Sequence, residues 1–284
     1  MNLIDTHCHL TFEQFADVNA VIQRSIAAGV RGWITVGTDL NDSRKAVELA
    51  ARLQNMFVAV AIHPHEAKSA DQKTITELKE LAKNKKVVAI GETGLDFHYV
   101  TVWHGLPARE DTAKPALSEV EGMAVLQQQR DCFIRHLEIA QEMNLPVIIH
   151  SREAFDDTVK ILEGSGEGIK KVVFHCFSGS VEQAKVVLEK GWHISLTGVV
   201  TFKNANKTRE VAKYVPLERL MIETDAPYMS PEPMRKQKVN EPALLVHTAR
   251  FIAELKGMKL ADFAEVVTAT TKQFFALPDL LIFE

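Results

Sequence analysis

Short apolar runs alternate with amphipathic stretches along the whole chain. The runs are Leu3–Thr6, Gly32–Val36, Phe57–Ile62, Val87–Ile90, Pro146–Ile149, Lys171–Phe174, Trp192–Leu196 and Arg219–Ile222. They are rich in Val and Ile, and most lack polar alternation, the pattern of strands buried on both faces of a parallel sheet. The stretches between them read as helices. In Asp42–Leu53, Ala46, Leu49, Ala50 and Leu53 share one face; in Gln127–Met143, Phe133, Leu137 and Ala140 do so, with Ile134 beside them. Ser180–Lys190 and Asn240–Lys256 repeat the theme. Eight such strand–helix units predict an α/β fold, a (β/α)8 TIM barrel, whose catalytic residues sit at the C-terminal ends of the strands. A doubly wound open sheet is the architectural alternative, because periodicity does not tell an open sheet from a closed one.

One segment breaks the rhythm. Phe97–Glu121 follows the fourth strand and contains Pro107, Pro115 and mixed charge with little periodicity. Connections in such units usually take about 2–6 residues, so an insertion or lid is expected after strand 4. No linker divides the chain, and residues 1–284 are expected to form a single domain. The glycine cluster Gly164–Gly168 precedes a strand, whereas a phosphate-cradling loop follows one; it reads as a turn.

Composition narrows the class. Of 284 residues, 46% are hydrophobic and 25% charged, which excludes disordered and fibrous chains. The formal net charge of -4 shows no global basic surface for nucleic acid, so a phosphate-bearing partner must be held locally. Cys8, Cys132 and Cys176 make no disulfide framework. The start, Met1–Asp5, lacks signal-peptide character, and no apolar run approaches the roughly 20 residues of a membrane span. A cytoplasmic protein is expected.

The chemistry lies at the strand ends. His7 and His9 close the first strand, and alternation points both imidazoles to one side. Glu92 follows the fourth strand, His150 the fifth, His175 the sixth and Asp225 the eighth. In a barrel these groups converge on one mouth. Imidazoles and carboxylates together suit Zn²⁺, Mn²⁺ or another first-row divalent ion. The set exceeds the three protein ligands that one catalytic ion commonly keeps. It would serve two ions about 3.5–4 Å apart, bridged by Glu92. Cys8 and Cys176 flank these positions but are turned away by alternation, and read as buried structural thiols.

The motifs Asp5-Thr6-His7-Cys8-His9, Ile62-His63-Pro64-His65, Gly91-Glu92-Thr93-Gly94-Leu95-Asp96, His150-Ser151-Arg152, Phe174-His175-Cys176-Phe177-Ser178-Gly179 and Glu223-Thr224-Asp225-Ala226-Pro227-Tyr228 run in order along the chain. In these the sequence resembles the TatD family of metal-dependent deoxyribonucleases, within the amidohydrolase-like barrels. The resemblance implies one metal held by His7, His9, Glu92 and Asp225, and a second by Glu92, His150 and His175. Glu92 stands where many binuclear amidohydrolases carry a carboxylated lysine. Two departures are visible: the 97–121 insertion, and the run Met234–Pro242, which lacks the family's Arg-Gly-Lys pattern.

The resemblance implies hydrolysis of DNA phosphodiester bonds by a water that two divalent metal ions (Zn, Mn or Mg) activate, with Asp225 and Glu92 as catalytic residues. A 3′–5′ exonuclease acting on single-stranded or frayed DNA is expected. His63, His65 and Arg152 are candidate substrate contacts, with Lys203, Arg235 and Lys236 as further cationic candidates on catalytic-side loops. The ligand set leaves other chemistries open: amide or ester hydrolysis on a small molecule or D-aminoacyl-tRNA, a deaminase, or a catalytically silent metal-binding scaffold.

Overall fold

The computed structural model describes residues 1–98 and 119–280. Strands and helices alternate as β1 (Leu3–Cys8), α1 (Val18–Ala28), β2 (Val30–Val36), α2 (Leu40–Arg52), β3 (Met56–Val60), α3 (Gln72–Leu81), β4 (Val87–Asp96) and α4 (Glu119–Met143). They continue as β5 (Val147–Arg152), α5 (Phe155–Ser165), β6 (Val172–Phe174), α6 (Val181–Glu189), β7 (His193–Leu196), α7 (Asn206–Tyr214), β8 (Leu220–Ile222), α8 (Leu245–Leu255) and α9 (Leu260–Phe275). All neighbouring strands pair in parallel, and their order in the sheet is their order in the chain. A doubly wound sheet reverses its order at a switch point; this one does not. It is a (β/α)8 barrel.

Alternating strand positions feed two apolar layers. Trp33, Val58, Val60 and Ile149 pack outward against Ala46, Ala50, Leu78, Phe133 and Leu137 of the helices. Ile4, Ile34, Val36, Ala59, Ile148 and Met221 form a second cluster inside the barrel, closed off by Phe274, Phe275 and Leu277 at the end of α9. Local signals start the helices. Asp39 accepts from the Asp42 amide at 2.8 Å to open α2, and Ser180 and Gln183 form a reciprocal capping box at α6.

The seam between β8 and β1 is made differently from the other strand pairs. Only Cys8 and Ala226 are bridged as sheet neighbours. The His9 amide donates to the Ala226 carbonyl at 2.8 Å and the Asp225 amide to the His7 carbonyl at 2.9 Å. Below them the Thr6 hydroxyl donates to the Ile222 carbonyl at 3.1 Å, and Asp5 accepts from the Thr224 amide at 2.9 Å and its hydroxyl at 2.5 Å.

The structure moves several boundaries. β4 and β5 run on through polar residues to Asp96 and Arg152, because the ladder continues from Thr93 paired with Ile149 to Asp96 paired with Arg152. An apolar run marks only the buried part of such a strand. Helix α4 begins at Glu119 instead of Gln127; its first turns carry the exposed Val120 and Met123, so no apolar face announces them. Asn240 is a buried polar residue outside the helix, which starts at Leu245 after a 3-10 turn at Pro242–Leu244. Most of the expected 97–121 insertion lies outside the described residues. Among those described, no helix is long and apolar enough to cross a membrane.

Candidate metal centre

Two irregularities in the sheet bring the strand-end groups together. The β1–β2 register shifts between Asp5 and Cys8, and the β4–β5 register shifts between Ile90 and Thr93. Such bulges re-aim a side chain at a barrel rim; here they fall at His7 and Glu92. Glycine is required on both sides of Glu92. Gly91 and Gly94 have φ of 151° and 141°, and a Cβ on Gly94 would lie 2.1 Å from the His150 carbonyl oxygen.

Glu92 is the hub. Its Oε2 lies 3.4 Å from His7 Nε2 and 4.0 Å from His9 Nε2. Its Oε1 lies 2.5 Å from His175 Nε2 and 3.6 Å from His63 Nε2, and is hydrogen-bonded to His150 Nδ1. Asp225 Oδ1 stands 3.5 Å from His9 Nε2 and 3.8 Å from His7 Nε2. The His7 and His175 rings stack at 4.1 Å. Three overlapping sets therefore have donor atoms close enough to share an ion: His7, His175 and Asp225; His7, His9 and Glu92; His63, Glu92 and His150. His175 stands between the two groups that the resemblance separates, and His63 joins the side holding His150.

The charges are set by these contacts. Burial works against an anionic Glu92, but His175, His63 and His150 outweigh it and hold its carboxyl well below the usual range. Asp225 is likewise held low against burial by its contact with His9 and by His7 and His175. Burial opposes a charged His175 too, yet Glu92 and Glu223 raise its pKa well above the ordinary value. For His7, burial and the neighbouring His175 win, and its pKa falls.

Around the cluster lies a ring of groups that orient it. Asp96 Oδ2 meets His65 Nε2 at 2.8 Å and His150 Nε2 at 3.1 Å. Glu223 Oε1 faces His175 Nδ1 at 3.4 Å and accepts from the Cys176 amide at 2.6 Å, while Oε2 accepts from Ser195 at 2.7 Å. His9 Nδ1 donates to the Val36 carbonyl at 3.0 Å, which leaves the Nε2 lone pair for the cluster. Asp5 takes no place in the cluster; burial pushes its carboxyl up to about 7 while it ties the seam. None of Asp96, Glu223 and Asp5 stands out in the chain, because their partners come from other strands. All three do sit inside the motifs quoted above, two residues or four from a cluster member, which is the signal that was available.

The other candidates are placed plainly. His63 and His65 follow β3, their rings 4.5 Å apart, and His65 reaches the cluster through Asp96. Arg152 is exposed at the end of β5, beside Asp96 in the ladder. Lys203, Arg235 and Lys236 are exposed and outside the cluster, and the Arg235 guanidinium lies 3.7 Å over the Phe202 ring. Cys8 donates to the Ile34 carbonyl at 3.4 Å and Cys176 lies 3.6 Å from the Thr197 hydroxyl; neither faces the cluster. A cavity of about 450 Å³ opens beside His175, lined also by Ser151, Phe155, Phe177, Ser178 and Lys207.

The donor set fits divalent cations. His7 Nε2 and His9 Nε2 are turned on each other at 3.3 Å, as are His150 Nδ1 and His175 Nε2. Each pair has a Glu92 oxygen beside it, and imidazole nitrogens gathered with carboxylate oxygens are the ligand types that divalent first-row ions take. The sequence profile described as TatD related DNase matches residues 4–276. The chain belongs to the TatD family. YabD from Bacillus subtilis, named as a metal-dependent hydrolase, is 37% identical over 97% of this chain and 99% of its own length. A TatD from Escherichia fergusonii, named as a 3′-5′ ssDNA/RNA exonuclease, is 32% identical over 97% of this chain and 99% of its own. Among solved structures, the TatD homologue YJJV from Escherichia coli K12 superposes with a TM-score of 0.83 at 29% identity, covering 97% of this chain and 98% of that one. The protein is thus a TatD-family metal-dependent hydrolase, and the reading of a silent scaffold is set aside.

Proposed function

We propose that this hydrolase removes nucleotides from DNA as a 3′–5′ exonuclease on single strands or frayed ends, in the cytoplasm. Two divalent ions, Zn, Mn or Mg, would be held by His7, His9, Glu92, His150, His175 and Asp225. The observation that carries the reading is the convergence of these side chains on Glu92 at the barrel mouth. It is supported by the name of the Escherichia fergusonii relative.

When bound, such ions draw the pKa of a coordinated water towards neutrality and offset the charge of the phosphate. The chain's own residues do the rest. Glu92, held anionic, presents one oxygen to His7 and His9 and the other to His175, His150 and His63, so it can bridge two ions. Asp225 is anionic at Oδ1 and can accept the proton that the attacking water gives up, a role that typically contributes about 10²–10⁴-fold. Asp96 fixes His150 with Nδ1 turned to Glu92. His63 and His65 stand where a phosphate or leaving oxygen would meet them, and Arg152 offers a cation at the rim. His63 can also serve as a ligand beside His150.

The test is an oligonucleotide labelled at its 3′ or 5′ end, incubated as a single strand with Mg²⁺ or Mn²⁺ and with a chelator as control. A chelator-sensitive ladder that starts from the 3′ end is expected. An intact oligonucleotide, with metal confirmed in the protein, would overturn the reading and direct attention to amide and ester substrates.

A further inference from the structure

Among the described residues, two tyrosines are exposed, Tyr214 and Tyr228. Tyr214 ends α7, at the face of the barrel away from the metal centre. Tyr228 lies at the mouth, three residues after Asp225, with half of its surface open. Its neighbours are aromatic too. Phe12, in the loop after β1, lies almost parallel over the His9 ring at 4.8 Å. The Tyr228 ring stands edge-on to both, 6.3 Å from His9 and 6.3 Å from Phe12 at 82°. The two rings form a corner beside His9, a member of the cluster.

The corner is held from below. The fully buried Asn240 donates from Nδ2 to the Tyr228 carbonyl at 2.7 Å and the Thr224 carbonyl at 2.9 Å. The Tyr228 amide donates to the Asp225 carbonyl at 2.9 Å. One turn therefore fixes the backbone that carries the ring relative to the backbone that carries the carboxylate. A half-exposed aromatic ring on a firm support, without a cationic stripe, suits stacking of a nucleobase; such stacking accepts any base because each has a π-face. We propose that Tyr228 and Phe12 form the subsite for the nucleobase next to the scissile phosphate. This rests on the nuclease reading above.

The experiment compares kcat/KM on two single-stranded oligonucleotides, one ordinary and one abasic at its 3′-terminal nucleotide, for the wild type and for Tyr228→Ala, Tyr228→Leu and Tyr228→Phe. The wild type should prefer the base-bearing end by roughly ten- to a hundredfold, mostly in KM, with little difference among the four bases. Tyr228→Phe should keep that preference, while Tyr228→Ala and Tyr228→Leu should lose most of it. A merely structural ring would lower both rates together and leave the ratio alone. Equal cleavage of the two ends by the wild type, or an unchanged ratio in Tyr228→Ala, would overturn the subsite while leaving the nuclease reading intact. Cleavage of neither oligonucleotide by the wild type would sink the nuclease reading and the subsite with it.

Discussion

Glu92 keeps its charge in a buried place only because three imidazoles surround it. Asp96 in turn keeps two of the histidines in position, and its carboxyl is held far below the usual range by His150 and His65 despite burial. Replacing an orienting carboxylate of this kind typically costs about 10–100-fold in metal affinity. Asp96→Asn should therefore weaken Mn²⁺ or Zn²⁺ binding by that order in a titration of the metal-free protein; unchanged affinity would remove Asp96 from the site. Glu92→Gln should abolish most turnover and reduce the bound metal, checked by activity and elemental analysis on one sample. A different histidine governs acid sensitivity. His136, buried in α4, accepts from the Ile62 amide at 3.1 Å through Nε2, so Nδ1 carries the proton and donates to Thr93 at 2.8 Å. Burial pushes its pKa down to about 3. The unfolded chain then binds a proton that the folded one refuses, so stability falls as pH drops below about 6.5 towards 3. Urea melts of His136→Gln should show a shallower loss between pH 7.5 and pH 5 than the wild type. The seven clustered residues were readable as candidates because each follows a short apolar run. His136 was not, since a histidine in mid-helix carries no sign of what lies across the core.

Strand β4 shows how an element can be half legible. Its apolar start, Val87–Ile90, reads directly, but the part that bears Glu92 is polar and glycine-rich and looks like a loop. Backbone pairing with β5 makes it a strand, and the glycines make that pairing possible. Gly94→Ala would drive a Cβ into the His150 carbonyl at a φ that side chains rarely adopt. A loss of about 3 kcal/mol or more is expected in denaturant melts, together with lost metal. Gly164, inside α5, has nothing within 4 Å of its Cβ position. Gly164→Ala should stabilise by about 0.5–1 kcal/mol with no effect on turnover. If the two glycines behaved alike, the close approach of β4 to β5 would not be the cause.

At the scale of the whole molecule, the barrel was legible because its two apolar layers repeat with the strands. The plug of Phe274 and Phe275 was not, since α9 adds a helix beyond the eight-fold repeat. The clustered residues come from the ends of β1, β3, β4, β5, β6 and β8, so ions that bind only the folded state must stabilise the barrel as a whole. Saturation at about a thousand times Kd corresponds to about 4 kcal/mol. Melting temperature should accordingly climb with Mn²⁺ or Zn²⁺ concentration and fall back with chelator. A melting point indifferent to metal would mean that the cluster binds none.

The seam adds an order of events. His7, on β1, and His9, just after it, leave the ribosome early, whereas Asp225 and the Thr224 that clasps Asp5 arrive only after β8. Until then the nascent chain holds a strip of consecutive parallel strands with an unfinished edge, and the cluster lacks its Asp225 side. The set of donors that uses Asp225 is therefore completed last, by the same contacts that shut the barrel.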